Sequence, residues 1–378
     1  MKSILFLSIL MLSLFCSDAQ REPQVNKRDS ELQEKTVIVN GNDTLTIPLN
    51  QEYIHINDIP PRYQWEHNAG YCGEVSLISA GLYYGQYLSQ YDVREIICGK
   101  GKQKNCEMLL GDNASAGAES LRLKHEKKTT KNSKDFLKWV KNHVLQGHPV
   151  IIGVMNNENL LYGKTNPSAG QPDYDHIVPV IGIGSNEPFS TDYKASDVIL
   201  FSDNGLVTNG PNPARPKNGT VPYYYDYSFE HFVGDRKQAN KSDGHHYTLI
   251  DLPQYDQGDN INNYGIAILG IDGEQETLPV RVSTNLNYEA PYIRSKSNKR
   301  PRPMSLTLTV KVSKLVAGAK YYLYQYDNEM DVPRSDFNKN SKLYKKRTEI
   351  KLSSGSEFSM SLDITSNEKV FFRCVKAE

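Results

Sequence analysis

A cysteine, a histidine and an acidic or amide side chain, far apart in the chain but each at the edge of a regular element, are the residues equipped for chemistry. Cys72 lies in Tyr71-Cys72-Gly73-Glu74, after the turn-like His67-Asn68-Ala69-Gly70. Beyond it Val75, Ile78 and Leu82, with the small Ser79, Ala80 and Gly81, fall on helical spacing. A thiol at a loop-to-helix junction meets unpaired N–H groups and the positive end of the helix dipole, which favour the thiolate nucleophile. The same N–H groups can hold the oxyanion of a tetrahedral intermediate. Such a nucleophile needs a base, and the base an orienting partner. His176 opens the apolar run Ile177-Val178-Pro179-Val180-Ile181, and Asp203-Asn204-Gly205 closes Val198-Ile199-Leu200-Phe201-Ser202. If these two strands pair antiparallel, the start of one lies beside the end of the other, and His176 meets Asp203.

The elements that must hold these groups are legible in outline. Residues 136–148 read as a helix through Phe136, Val140 and Val144, and Val150 to Val154 as a buried strand. Upstream, Met1-Lys2, the apolar run Ile4 to Phe15 and Ser17-Asp18-Ala19 have the form of a signal peptide, with cleavage expected near Ala19. That run is shorter than the roughly 20 apolar residues of a spanning helix. Residues 20–50 read as an N-terminal extension with one strand-like run, Thr36 to Val39. Sequons at Asn42, Asn113, Asn218 and Asn240 fit a secreted glycoprotein.

Composition bounds the rest. The 378 residues carry 44 Lys+Arg against 44 Asp+Glu, so the bulk charge gives no reason to gather nucleic acid or anionic lipid. With 38% hydrophobic residues the chain can bury a sizeable core. Five cysteines are too few for a disulfide scaffold. Cys16 falls in the signal segment, and Cys98 and Cys106 bracket a polar loop that a disulfide closes readily. Cys72 and Cys374 then either pair or leave Cys72 as a free thiol.

The order of these motifs resembles the papain-like cysteine peptidases. Within them it is most similar to the bacteriocin-processing, double-glycine-leader type and its secreted relatives. The matching patterns are Cys72-Gly73 followed by small residues, His176-Ile177-Val178 heading a strand, and Phe201-Ser202-Asp203 ending the next. The resemblance covers residues 51 to about 210. It implies an α+β fold with the cysteine-bearing helix packed on an antiparallel sheet. It also implies Cys72 as nucleophile, His176 as base and acid, Asp203 as orienter with Asn204 as the alternative, and Gln64 in the oxyanion hole with Asn68 as its substitute.

Residues 206–285 read as further strands: the Tyr-dense Val221 to Tyr227, whose rings either line a cleft or pack, then His246 to Leu252, then Tyr264 to Ile271. The last ends in Asp272-Gly273, and Leu278 to Val282 is expected to pair back onto it. His245-His246 and Asp243 read as surface strand, since adjacent strand histidines face opposite ways and zinc would need more ligands. The basic stretch Arg294 to Pro303 reads as a linker. Short strands over 305–312, 319–326, 348–352, 358–362 and 369–375 suggest a small β-sandwich. Its Leu315 to Tyr321 loosely resembles the loop-and-tyrosine feature of fibronectin type III domains. The expected division is 1–19 signal peptide, 20–50 extension, 51–290 peptidase domain, 291–304 linker and 305–378 sandwich.

The reading is a secreted, extracellular, monomeric cysteine peptidase acting on a peptide or protein substrate. No metal or organic cofactor, nucleic acid or membrane is called for. Two other classes stay open: a non-catalytic secreted binding protein that retains the fold, and an acyl transferase of transglutaminase type, which shares the Cys-His-Asp logic.

Overall fold

The computed structural model describes residues 35–39, 43–47, 51–65, 68, 70–156, 176–204, 224–234, 246–250, 262–289, 297–339 and 343–377. The expected signal segment 1–19, residues 20–34, the sequons at Asn42, Asn218 and Asn240, and Asp243 and His245 lie outside them. Residues 33–378 belong to one unit, mixed α+β with mostly antiparallel sheets.

In chain order β1 (Lys35–Val39) and β2 (Asp43–Ile47) pair with each other, followed by β3 (Tyr53–Ile56), α1 (Cys72–Tyr83), β4 (Gln86–Tyr87), α2 (Gln90–Cys98) and α3 (Ala114–Ser120). Next come β5 (Leu123–Thr130), α4 (Ser133–Leu145), β6 (Val150–Asn156), β7 (His176–Ser185), β8 (Val198–Ser202), β9 (Tyr224–Ser228), β10 (Val233–Gly234), β11 (Tyr247–Ile250) and β12 (Asn263–Ile271). The chain closes with β13 (Val280–Thr284), β14 (Ser305–Val312), β15 (Lys320–Tyr326), β16 (Lys346–Lys351), β17 (Phe358–Thr365) and β18 (Val370–Lys376).

The large sheet is built on β6, β7 and β8, antiparallel neighbours as the strand-end argument required. β9 extends it beyond β8, β12 and β5 beyond β6, and β11 takes the far end of β6 while β3 takes the far end of β7. Every residue of β6, β7 and β8 is buried, because both faces are covered. Ile152, Val154, Val178 and Val180 join the cluster of Phe136, Leu137, Val140 and Val144 on α4, while Ile151 and Ile177 face the core that holds α1. That alternation is the period of two along a strand. Asn132 caps α4, accepting from the N–H groups of Lys134 and Asp135 at 3.0 and 3.1 Å. A fully buried ion pair, Lys141 Nζ to Asp197 Oδ2 at 2.6 Å, ties the same helix to the start of β8.

The β-rich remainder consists of two facing sheets, β13-β14-β17 and β16-β15-β18-β4. Its strands match the sequence expectation over 305–376 within a few residues. Two expectations do not hold. Leu278 to Val282 does not pair back on β12; β13 pairs with β14, so the chain changes sheets after Asp272-Gly273. Nor does a linker at 291–304 separate the two parts. β13 precedes it, and the last strand of the second sheet is β4, which directly follows α1 and pairs Val370↔Tyr87 and Phe371↔Gln86. The described part of that basic stretch is itself pinned. The Asn68 amide holds Ser297 N and O at 2.7 Å each, and Arg300 grips Asp92 through two N–H groups at 2.9 and 2.7 Å while lying over the Tyr91 ring. Within the stretch read as a linker, Arg300 thus finds a buried carboxylate.

One core therefore runs from Leu77, Ile78 and Leu82 on α1 through Val280 and Val282 to Leu308, Leu323 and Phe371. A chain ending at residue 304 should not fold, since it strips β4 of its partner and bares this core. Soluble expression with a cooperative thermal transition, followed by circular dichroism, would contradict that expectation.

Candidate active site

Cys72 is the first residue of α1 and is half-buried. Tyr71, at the N-cap position, makes no side-chain hydrogen bond to the first turn. The loop before it is held from beneath by Arg94 of α2, whose guanidinium has no exposed surface. Its Nε donates to Glu74 Oε1 at 2.6 Å, one terminal nitrogen to the carbonyls of Asn68 (3.3 Å) and Gln103 (3.1 Å), and the other to the carbonyl of Gly70. The cation also lies 3.5 Å from the centre of the Tyr71 ring. Burial pushes the Tyr71 phenol up to about 12, against the pull of Arg94, so it serves as a neutral hydroxyl donor. Gly73 has its own reason to be glycine. A Cβ there would come within 2.6 Å of the Met108 carbonyl oxygen, and Met108 N donates to Glu74 Oε1 at 3.0 Å.

Opposite α1, three strand ends meet. His176 begins β7, Asp203 follows β8, and Tyr247 begins β11. His176 Nε2 and Asp203 Oδ1 are 3.1 Å apart. Tyr247 donates its hydroxyl to the other carboxylate oxygen at 2.8 Å, and its ring stacks on the imidazole at 5.9 Å between centroids. The pairings place Tyr247 there: it sits opposite Asn156 on β6, two residues from Val154, which sits opposite His176. Burial and the Asp203 charge raise the Tyr247 phenol well above its ordinary value, so it remains a donor.

Burial by itself lowers the pKa of His176, but hydrogen bonds with Asp203 and Cys72, with the charges of both, outweigh it and push the imidazole to about 9. Nδ1 makes no hydrogen bond of ordinary geometry among the described residues, and it is the ring nitrogen not committed to Asp203. That leaves Nδ1 to address the Cys72 sulfur.

Asn204, the other candidate orienter, is turned away from the imidazole. Its Nδ2 lies 3.1 Å from the Cys72 carbonyl, 3.0 Å from Ser76 Oγ and 2.9 Å from the Ile177 carbonyl, stapling the first turn of α1 to β7. Gln64 is buried and held beside this cluster. Its N–H donates to the Asn204 carbonyl at 2.7 Å, and its side-chain oxygen lies 3.6 Å from where a Cβ on Gly70 would be. Asn68 is committed to Ser297 and takes a left-handed φ of 54°, a conformation asparagine tolerates. Its amide nitrogen also donates to the Tyr71 hydroxyl at 3.3 Å. Tyr225 and Tyr227 pack with Phe201, Phe232 and Tyr247. His246 lies against Tyr225, and among the described residues no three His, Cys, Asp or Glu side chains are grouped to hold a metal.

Cys98 and Cys106 form a disulfide, and Cys72 and Cys374 are not joined. Burial pushes the Cys374 thiol up to about 12, leaving Cys72 as the accessible thiol among the described residues. Comparison of the chain with protein-family models, curated proteins and solved structures gave no match.

Sequence reasoning did not find Tyr247, Arg94, Glu74 or Ser76. No local signal marks Tyr247, whose place depends on β11 reaching β6, and Arg94 reads as an ordinary charge on an amphipathic helix.

The folded state holds the His176 proton more tightly than an unfolded chain with the ordinary value of 6.5. That stabilisation is complete below about pH 6.5 and lost as the pH rises through about 9; it amounts to something on the order of 3 kcal/mol. Urea denaturation of the native protein and of His176→Gln from pH 6 to 10 should show the difference between them shrinking over that window. A constant difference would refute the assigned proton.

Proposed function

We propose that the chain is a papain-like cysteine hydrolase, most simply a peptidase, exported to an oxidising compartment. The observation that carries this reading is the ion pair of His176 Nε2 with Asp203, which leaves Nδ1 uncommitted, combined with the Cys72 thiol at the start of α1. A nucleophile-bearing helix against an antiparallel sheet, with base and orienter on adjacent strand ends, is the arrangement the family resemblance implies. The Cys98–Cys106 disulfide supports export. Two packed sheets, with Tyr321 Oη accepting from Val316 N at 3.1 Å, support the fibronectin-type-III-like sandwich.

On this reading each step falls to a named residue. The Cys72 thiolate, paired with the His176 imidazolium, attacks the carbonyl carbon of the scissile bond. The developing oxyanion is met by the Cys72 N–H and the Gln64 side-chain amide. His176 gives its Nδ1 proton to the leaving amine as the C–N bond breaks, then takes one from the water that cleaves the thioester. Asp203, fixed by Tyr247, holds the imidazole in orientation and balances its charge throughout.

A peptidyl chloromethyl ketone should label the native protein once, at Cys72, and leave Cys374 untouched in peptide mapping. Turnover of a proteome-derived peptide mixture, read by mass spectrometry, should fall at least about a thousandfold in Cys72→Ala and in His176→Ala. Turnover surviving in Cys72→Ala would overturn the reading. Clean labelling with no turnover of any peptide would favour the binding-protein alternative.

A further inference from the structure

The disulfide loop Gly99 to Asn105 is exposed at every residue but one. Gln103 has no exposed surface at all. Its Oε1 accepts from the Tyr71 hydroxyl at 2.7 Å, its Nε2 donates to the Tyr91 carbonyl at 3.1 Å, and its own carbonyl accepts from Arg94 at 3.1 Å. Tyr71 immediately precedes the nucleophile, and Arg94 holds the carbonyls of Asn68 and Gly70 in the same loop. The outer wall of the Cys72 mounting is thus supplied by a segment that cannot fold down by itself. Apart from Gln103 it consists of glycine, lysine and asparagine, with no apolar side chain to bury. Gly99 and Gly101 take left-handed φ angles of 89° and 75°. Outside the loop its other described anchors are two hydrogen bonds, Gly99 N to the Glu95 carbonyl at 2.9 Å, which only continues the end of α2, and Lys104 N to Asn298 Oδ1 at 3.1 Å. What closes the segment against α2 is the bond between Cys98, the last residue of that helix, and Cys106.

We propose that Gln103 is a positioning residue for the Cys72 nucleophile and that the Cys98–Cys106 disulfide keeps it in place. The inference rests on the hydrolase reading and adds its regulation: the site needs Cys72 as a thiol while Cys98 and Cys106 remain oxidised. Both demands answer to the same small thiol. One RSH reduces a Cys72–S–S–R mixed disulfide to the free thiol, releasing RSSR. Two RSH open Cys98–Cys106: the first thiolate attacks one sulfur to give a mixed disulfide and one protein thiol, and the second releases RSSR and the other protein thiol. Both cysteines are half-buried, so a small thiol can reach them. Activity therefore passes through a maximum as reducing strength increases, with loss at the oxidising end from capped Cys72 and at the reducing end from a released Gln103.

The test is a series of glutathione ratios on the full mature chain, with the state of each cysteine read by differential alkylation and mass spectrometry. Two rates are followed: peptide turnover, and alkylation of Cys72 by iodoacetamide. Opening of Cys98–Cys106 is expected to slow both by at least about tenfold while Cys72 stays reduced, with kcat falling more than KM. Gln103→Ala should reproduce the loss with the disulfide intact. Gln103→Glu, which keeps the acceptor for Tyr71, should recover part of it. The Cys98→Ser/Cys106→Ser variant should lack the reducing-end decline. Unchanged Cys72 alkylation on opening the bond, or wild-type turnover in Gln103→Ala, overturns the proposal. Slowed alkylation with no Cys72-dependent turnover in any state upholds the positioning role and sinks the hydrolase reading instead.

Discussion

The buried ion pair between Arg94 and Glu74 is the constraint on which the candidate site depends. Two charges taken out of water are tolerated only when geometry is good and the remaining donors are satisfied. Burial works against the Arg94 cation, and the charge and hydrogen bond of Glu74 more than offset it. The rest of the guanidinium fork is spent on three carbonyls, from Asn68, Gly70 and Gln103. A lysine has no fixed fork with which to reach the same set. The loop before Cys72 cannot shift without stripping hydrogen bonds from a buried charge, so the pair contributes specificity of conformation more than net stability. It determines where α1 begins, and hence where the thiol stands.

The second half of the site obeys a different constraint, the convergence of strand ends. His176, Asp203 and Tyr247 come from β7, β8 and β11, and only the pairing of all three strands with their neighbours in one sheet brings them within hydrogen-bonding distance. The two halves are fastened by Asn204 and Ser76. Ser76 Oγ lies 2.7 Å from the Cys72 carbonyl and 3.3 Å from that of Ile177, and Asn204 reaches both carbonyls. Helix and sheet are therefore bound together at the residue after His176 and at Cys72 itself. The proposed reaction would need that rigidity, since small misplacements of reacting groups are costly.

What could be read from the sequence follows from how locally each feature is encoded. Cys72, His176 and Asp203 each sit where a periodic pattern begins or ends, and the antiparallel pairing of β7 with β8 follows from two apolar runs separated by turn-rich sequence. The choice between Asp203 and Asn204 is not local. Neighbouring residues at a strand end point in different directions, and only the register of β8 on β7 decides which faces the imidazole. Tyr247 was hidden for the same reason, inside an alternating run that reads as ordinary strand. Arg94 and Gln103 were hidden by composition: a charged residue in a short helix and an amide in a lysine-rich loop both look solvated. The strand at 280–284 was assigned to the wrong partner because an Asp-Gly turn suggests a hairpin, whereas its apolar residues Val280 and Val282 complete the core shared with β14.

The same long-range logic explains why a sandwich accompanies the site at all. Every residue of α1 from Gly73 to Tyr83 is buried, including Glu74, Ser76 and Ser79. A helix apolar on one face needs a single covering layer; one buried all round needs several. β6 and β7 cover one side, through Ile151 and Ile177. The other is closed by β13 and β4, which are strands of the two further sheets, and by α2. At Gly85, between α1 and β4, a Cβ would come within 2.9 Å of the Val280 side chain, so the chain turns off the helix directly against β13. These sheets are then a wall of the helix that carries Cys72 rather than an appendage. Their inner residues Leu308, Leu323 and Phe371 belong to the same core as Leu77, Ile78 and Leu82 of α1, so the packing that holds this helix extends to the far strands of both sheets.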